Sequence, residues 1–365
     1  MKKIFSLLML LAMLLAYGES DACTSAILLA SRSSERVPML WKHRDSPSWD
    51  CHVEYIEDGK YGYTALVSPD RKYTYCGINE KGFAVMNTVS ENLTKSKIVS
   101  QSPGAISSMT MALRECATVD EFEELLRNSK RGRKAKMNLG VGDATGAVAY
   151  FEVWDLGYRR YDVANHPEGF DVRANFSHAR IKEEKGASER RYNLIMNEMG
   201  NHNGNFSPWD FVRYSRSYNS VKYGNVLNTN DRYRCANHTV ARATSVGAFV
   251  IVCDGNNPRM LAMNGHPVSS IAVPIYVRAK HEIPKCVSGS AMQELSREFK
   301  AKAYVKITKT GRYLNKELVR NVLNIKLPKI EMPKQMPANI QAFNKKIDKL
   351  YAKHEKRVRK VLNME

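Results

Sequence analysis

Gly77-Ile78-Asn79-Glu80-Lys81-Gly82-Phe83-Ala84-Val85-Met86-Asn87-Thr88 reads as two strands joined by the polar turn Asn79-Glu80-Lys81-Gly82. Asn87 falls where the second strand ends. A side-chain amide there can donate to a developing oxyanion, a role worth roughly 3–4 kcal/mol of barrier; it could equally do no more than close the strand. Upstream, Tyr63 to Val67 and Tyr73 to Cys76 read as further strands around the turn Ser68-Pro69-Asp70.

Earlier in the chain, Ser20-Asp21-Ala22-Cys23 follows a basic start (Lys2, Lys3) and an apolar run from Phe5 to Tyr17. Small residues one and three positions before Cys23 fit signal-peptidase cleavage, and the run is short for a membrane anchor. Residues 1–22 are therefore expected to be a signal peptide, with the mature protein exported to the periplasm or beyond the cell. A lipidated Cys23 is the weaker reading, because Ser20 and Asp21 fit a lipoprotein site poorly. Cleavage would make Cys23 N-terminal. One residue then holds a thiol nucleophile and an α-amine, of pKa roughly 7.7–8.0, able to take its proton. Cys23 could instead be a small buried residue or half a disulfide.

Thr24 to Ala30 reads as a buried strand, Ser31 to Arg36 as a turn, and Val37 to Trp41 as a second strand ending in Lys42-His43-Arg44-Asp45. Such a hairpin returns that cluster to Cys23. Asp45 could then hold the α-ammonium, with Lys42 or Arg44 offsetting its charge; a solvated charged turn is the plainer alternative.

Removing residues 1–22 leaves 343 residues, and 43% hydrophobic content is ordinary for a globular core. The net charge is +19, yet residues 296–365 alone carry 19 Lys/Arg against 6 Asp/Glu. The basic character thus belongs to the C-terminal tail. Six cysteines remain besides Cys23, and Cys51 with Cys76 is the pair that short strands would bring closest. No metal-ligand spacing is present, and no cofactor has a sequence warrant.

Cys23-Thr24 at a mature N-terminus, the hairpin ending in Asp45, and the stretch from Gly77 to Asn87 together resemble the choloylglycine hydrolase and isopenicillin N acyltransferase group (peptidase family C45-like) of N-terminal-nucleophile (Ntn) hydrolases. The resemblance covers about residues 23–277. It implies an α+β fold, an αββα four-layer sandwich of two antiparallel sheets, acting on linear amides. Cys23 would be nucleophile and base, Asp45 would orient the amine, and Asn87 would be an oxyanion donor. Asn175, in Val172-Arg173-Ala174-Asn175-Phe176, matches a family asparagine that faces the nucleophile. Arg190, in Ser188-Glu189-Arg190, matches a helix-opening arginine of the acyltransferase branch, which would either touch substrate or, as the preferred reading, support the sheet. The family carries arginine where Lys42 stands; lysine keeps the charge but not the planar fork, and Arg44 could compensate.

The remaining chain fits this frame. Met109 to Leu126 reads as one or two outer helices, Asn138 to Val153 as a hairpin about Asp143-Ala144-Thr145-Gly146, and Gly247 to Val252 with Met260 to Met263 as paired strands. His43, His178, His238 and His266 read as turn or surface residues. The expected domains are 23–290, the hydrolase, and 291–365, a basic helical extension. Within the extension Gln293 to Val305 is helical, Leu327 to Pro337 a proline-rich linker, and Ile340 to Leu362 an amphipathic helix with lysines on one face.

Three functions follow. The first is amide hydrolysis or acyl transfer through a Cys23 acyl-enzyme on a small-molecule amide; the second is a bile-salt or penicillin-type amidase of the same fold. The third is a non-catalytic envelope protein that binds through its basic tail. That tail could touch an anionic membrane surface or a second copy in a homo-oligomer; nothing points to nucleic acid.

Overall fold

The computed structural model describes residues 22–49, 51–71, 73–93, 103–129, 136–154, 157–179, 186–230, 233–235, 238–308 and 311–364. The expected signal segment, apart from Ala22, lies outside them, as does the side chain of Cys235.

The strands in chain order are β1 (Thr24–Leu28), β2 (Met39–Asp45), β3 (His52–Ile56), β4 (Tyr63–Val67), β5 (Thr74–Asn79), β6 (Ala84–Val89), β7 (Met137–Gly142), β8 (Val148–Trp154), β9 (Gly157–Asp162) and β10 (Phe170–Arg173). Then come the short β11 (Asn219–Ser220), β12 (Gly224–Asn225) and β13 (Tyr233–Cys235). They are followed by β14 (Ser245–Val252), β15 (Arg259–Met263), β16 (Val273–Tyr276), β17 (Tyr304–Thr308) and β18 (Gly311–Asn315). The helices are α1 (Pro103–Glu115), α2 (Val119–Asn128), α3 (Ala187–Gly200), α4 (Pro208–Ser215), α5 (Lys285–Ser288), α6 (Ala291–Ala303), α7 (Lys316–Leu323) and α8 (Ile340–Leu362).

Strands β3 to β9 form a seven-stranded meander, and a second sheet runs β10-β1-β2-β14-β15-β16. Both are antiparallel throughout. Side chains alternate across each strand, so each sheet buries both faces. Ile27, Leu40, Ile78 and Met86 fill the space between the sheets. Phe83, Val85 and Leu139 pack outward on Phe122 of α2 and Leu113 of α1. Trp41, Val250 and Val172 pack on Ile195 of α3 and Phe211 of α4. This is the expected αββα sandwich.

β2 runs between β1 and β14, so it is paired on both edges. Lys42, His43, Arg44 and Asp45 therefore lie inside a central strand, all buried, and not in a solvated turn. His43 and His266 are likewise fully buried, correcting their reading as turn or surface residues.

The stretch that suggests the fold has a structural cause. A Cβ on Gly77 would lie 2.8 Å from both Ala65 Cβ and Leu113 Cδ1, forcing β4 and α1 apart. Gly82 turns the chain at φ +82°, where L side chains are strained. Asn79 closes the turn: its Oδ1 accepts from the Lys81 and Phe83 amides, and its Nδ2 donates to the Leu113 and Cys116 carbonyls, 2.7–3.1 Å throughout. Asn79→Ala should lower unfolding free energy by about 3 kcal/mol, since it leaves buried backbone groups unpaired. Denaturant midpoints check this, and activity per folded molecule should not change.

The Cys51–Cys76 pairing is not made, and neither sulfur is in a disulfide. Cys76 pairs with Leu66, which pairs with Val53, so β4 stands between the two cysteine-bearing segments. Two strand spacings, roughly 9–10 Å, exceed what a disulfide can bridge.

The expected boundary at residue 290 falls between α5 and α6. Beyond it, Leu295, Phe299, Ile347, Tyr351, Val358 and Leu362 belong to the same apolar cluster as Ile27 and Leu40. Asp348 of α8 accepts from the Lys285 and Cys286 amides at 3.3 and 3.0 Å. His354 of α8 is buried, with Nε2 donating to the Ser269 carbonyl at 3.0 Å and Nδ1 lacking any partner among the described residues. Burial pulls its pKa down to about 4. The fold holds the neutral ring, so its contribution is complete above pH 6.5 and lost as pH falls toward 4. The full loss is about 3 kcal/mol. The stability gap between wild type and His354→Gln should therefore shrink on acidification, as urea melts at pH 7 and pH 4.5 would read.

Candidate active site

Cys23 sits just before β1, 6% exposed. The β1–β2 register, Thr24 opposite His43 and Ser25 opposite Lys42, sets it at the end of β2. Its Sγ lies 3.9 Å from Lys42 Nζ and 3.9 Å from the Asp45 backbone carbonyl. Lys42 Nζ also donates to both oxygens of Asn87, the side-chain Oδ1 at 2.8 Å and the backbone carbonyl. One ammonium thus ties β2 to β6 across the inter-sheet space, beside the thiol. Asn87 Nδ2 points to Met137 Sδ at 3.5 Å, a weak acceptor that a stronger one can displace.

The charge balance around Asp45 differs from the sequence reading. Lys42 and Arg44 share the inter-sheet face of β2, while His43 and Asp45 project from the opposite face. Neither Lys42 nor Arg44 therefore makes an ion pair with Asp45. Arg44 instead reaches the Ser48 carbonyl at 3.4 Å and Cys51 Sγ at 3.9 Å, and stacks over Tyr75. Asp45 is paired by Arg242, whose Nη2 lies 2.7 Å from Oδ2, and Ser245 Oγ donates to Oδ1 at 2.9 Å. His43 Nε2 is 2.8 Å from Ser245 Oγ and 3.6 Å from Asp45. Burial would raise the Asp45 pKa, but Arg242, and then His43, outweigh it and hold the carboxyl far below the usual range.

Arg191 completes the cluster. Its Nη1 donates to the Cys23 carbonyl and to Thr24 Oγ1, both at 2.7 Å, and to the Ala22 carbonyl at 3.3 Å. Its Nη2 donates to Asn175 Oδ1 at 3.0 Å. Arg242 Nη2 also donates to the Ala22 carbonyl. The peptide carbonyl that precedes the cysteine thus lies between two guanidiniums. Burial, and next Arg242, pull the Arg191 pKa down to about 9, with Asp45 and Cys23 opposing.

Asn175 lies two residues past β10. Its amide N–H donates to Ser188 Oγ at 2.7 Å, and its Nδ2 donates to the Val89 carbonyl at 3.1 Å. It braces Arg191 against the end of β6. Arg190 is elsewhere: its Nη1 meets His238 at 2.8 Å from Nε2. The structure brings Cys23, Lys42, Asp45, Asn87 and Asn175 together and leaves Arg190 outside.

Arg191 and Arg242 escaped the sequence reading. Arg191 had a signal, since Arg191, Ile195 and Met199 follow a helical stripe and all are buried, whereas Arg190 is off it. Arg242 precedes β14 in a loop, where no periodicity marks it.

No protein-family model and no curated protein matches this chain. Among solved structures it is similar to a conjugated bile acid hydrolase from Clostridium perfringens, at 10% identity and TM-score 0.42, over 70% of this chain and 93% of that one. It is also similar to a Caenorhabditis elegans N-acylethanolamine-hydrolyzing acid amidase ortholog, at 14% and 0.41, over 64% and 93%. A third likeness is to a penicillin V acylase from Agrobacterium tumefaciens, at 16% and 0.42, over 70% and 86%. At that distance, what Cys23 and its neighbours can do rests on their own geometry.

Proposed function

We propose that the chain is an exported cysteine amidase of the Ntn type, cleaving a linear amide C–N bond or transferring its acyl group. The observation that carries this is the cluster around Cys23. A thiol beside the Lys42 ammonium stands at the head of a buried strand, and the preceding carbonyl is held by Arg191 and Arg242. Cleavage of the Ala22–Cys23 bond on export would free the α-amine. That amine then takes the thiol proton as sulfur attacks the amide carbonyl.

In the tetrahedral intermediate the oxyanion accepts from Asn87 Nδ2 in place of the Met137 sulfur, and Lys42 stabilises the reacting sulfur. The α-ammonium returns its proton to the leaving amine, giving a Cys23 thioester. Water, activated by the same amine, hydrolyses it; an acceptor amine would complete a transfer. Asp45 orients the N-terminus through the Arg242 pair. Asn175 acts through Arg191 and not at the reacting carbon.

The test is a panel of N-acyl amino acids, conjugated bile salts and penicillin V, read by amine release and by the intact mass of the quenched enzyme. A thioester on the peptide that begins at Cys23 supports the reading; turnover without acyl-enzyme, or no turnover across the panel, opposes it. Contact with an anionic membrane surface is the reading that α8 favours. Lys345, Lys349, Lys353, Lys356 and Lys360 are exposed on the side away from buried Ile347, Tyr351 and Val358.

A further inference from the structure

A groove of about 540 Å³ lies between α4 and the end of α7, within the range of small-molecule sites. Its walls include Trp209 and Val212 of α4, Tyr218, Leu227, and Leu323 with Leu327 from α7 and the segment after it. Trp209 is among the few large apolar side chains left exposed, at 37%.

The groove is separate from the Cys23 cluster. The opposite side of α4 carries Phe211 and Ser215, which pack on Trp41 of β2, Ser215 Oγ accepting from Trp41 Nε1 at 2.9 Å. The six-stranded sheet therefore stands between groove and nucleophile.

Two guanidiniums line this largely apolar space, those of Arg213 and Arg216. Arg216 lines the groove, and its Nη1 donates to the carbonyls of Pro267 at 2.6 Å and Ser270 at 3.3 Å. Among the described residues Nε and Nη2 have no hydrogen-bond partner, and neither is sealed from solvent. Among the described residues no carboxylate pairs with it, whereas Arg213 nearby is held by Asp210 at 2.8 Å. Burial pulls the Arg216 pKa down to about 10, and only Tyr218 opposes. A half-buried guanidinium without a counter-charge is unfavourable, and its planar fork matches a carboxylate.

We propose that this groove binds a single-chain amphiphile with a carboxylate head, the head on the open side of Arg216 and the chain along Val212, Leu227, Leu323 and Leu327. A neutral head would leave the guanidinium uncompensated, and a short anion would leave the walls wet.

The experiment titrates carboxyl-¹³C-labelled dodecanoate into the full-length Cys23→Ala protein, so that amide chemistry plays no part and failure of either proposal is read separately. We expect saturable one-to-one binding with a shifted carboxyl resonance, and dodecanol at least about tenfold weaker. Arg216→Leu should weaken dodecanoate by about tenfold or more. Since that change also frees the Pro267 and Ser270 carbonyls, Leu323→Trp, which fills the groove with Arg216 intact, must remove binding too. Absence of saturable binding, dodecanol matching dodecanoate, or binding that survives Leu323→Trp overturns the proposal.

Discussion

Cys23→Ala should lower amide turnover by about 10⁴-fold or more while leaving the fold and its stability within about 1 kcal/mol of wild type. In this mechanism the Cys23 thiol is the group that forms the acyl bond. Asn87 and Lys42 have nothing to stabilise without it. Removing the sulfur costs little polar bonding, because the Lys42 ammonium and the Asp45 carbonyl each stand 3.9 Å from Sγ. Cys23→Ser should also fall by orders of magnitude, since a hydroxyl is a far poorer nucleophile near neutral pH. Circular dichroism and urea midpoints, measured beside amine release, separate loss of chemistry from loss of fold. An alanine variant that retains a tenth of the turnover would remove Cys23 from the mechanism.

Arg242→Met should act on both stability and turnover. Arg242 is the guanidinium paired with Asp45, and the Asp45 side chain is fully buried. Breaking a buried pair from one side leaves an uncompensated charge, a loss of roughly 3–5 kcal/mol. Burial would then push the Asp45 pKa up with His43 left to oppose it. The double variant Asp45→Asn/Arg242→Met removes that charge, so much of the stability should return. Activity should not return, because the N-terminus has lost both groups that orient it. Stability recovering without turnover is the expected pattern. Full activity in the double variant would make the pair purely structural.

The layers were legible because strand alternation and turn residues are local. The stretch from Gly77 to Asn87 carries its own glycine and asparagine chemistry, and α8 runs from Ile340 to Leu362 as its apolar spacing implies. Which charge meets which was not local. Lys42 and Arg44 lie nearest Asp45 in sequence, yet alternation along β2 turns them away from it. The counter-ion comes from residue 242, brought alongside by the β2–β14 pairing. Arg190 shows the same limit at the scale of one helical step, about 100° from Arg191. The Cys51–Cys76 pairing failed because β4 separates them, and a sequence does not say which strands are next neighbours.

The most direct test is the intact mass and N-terminal residue of the protein recovered after export, before and after limiting iodoacetamide. The amidase assignment predicts a chain beginning at Cys23, with a free α-amine and the first carbamidomethyl group on its sulfur. A chain that begins elsewhere, or a Cys23 amine that is acylated, removes the base and contradicts the mechanism.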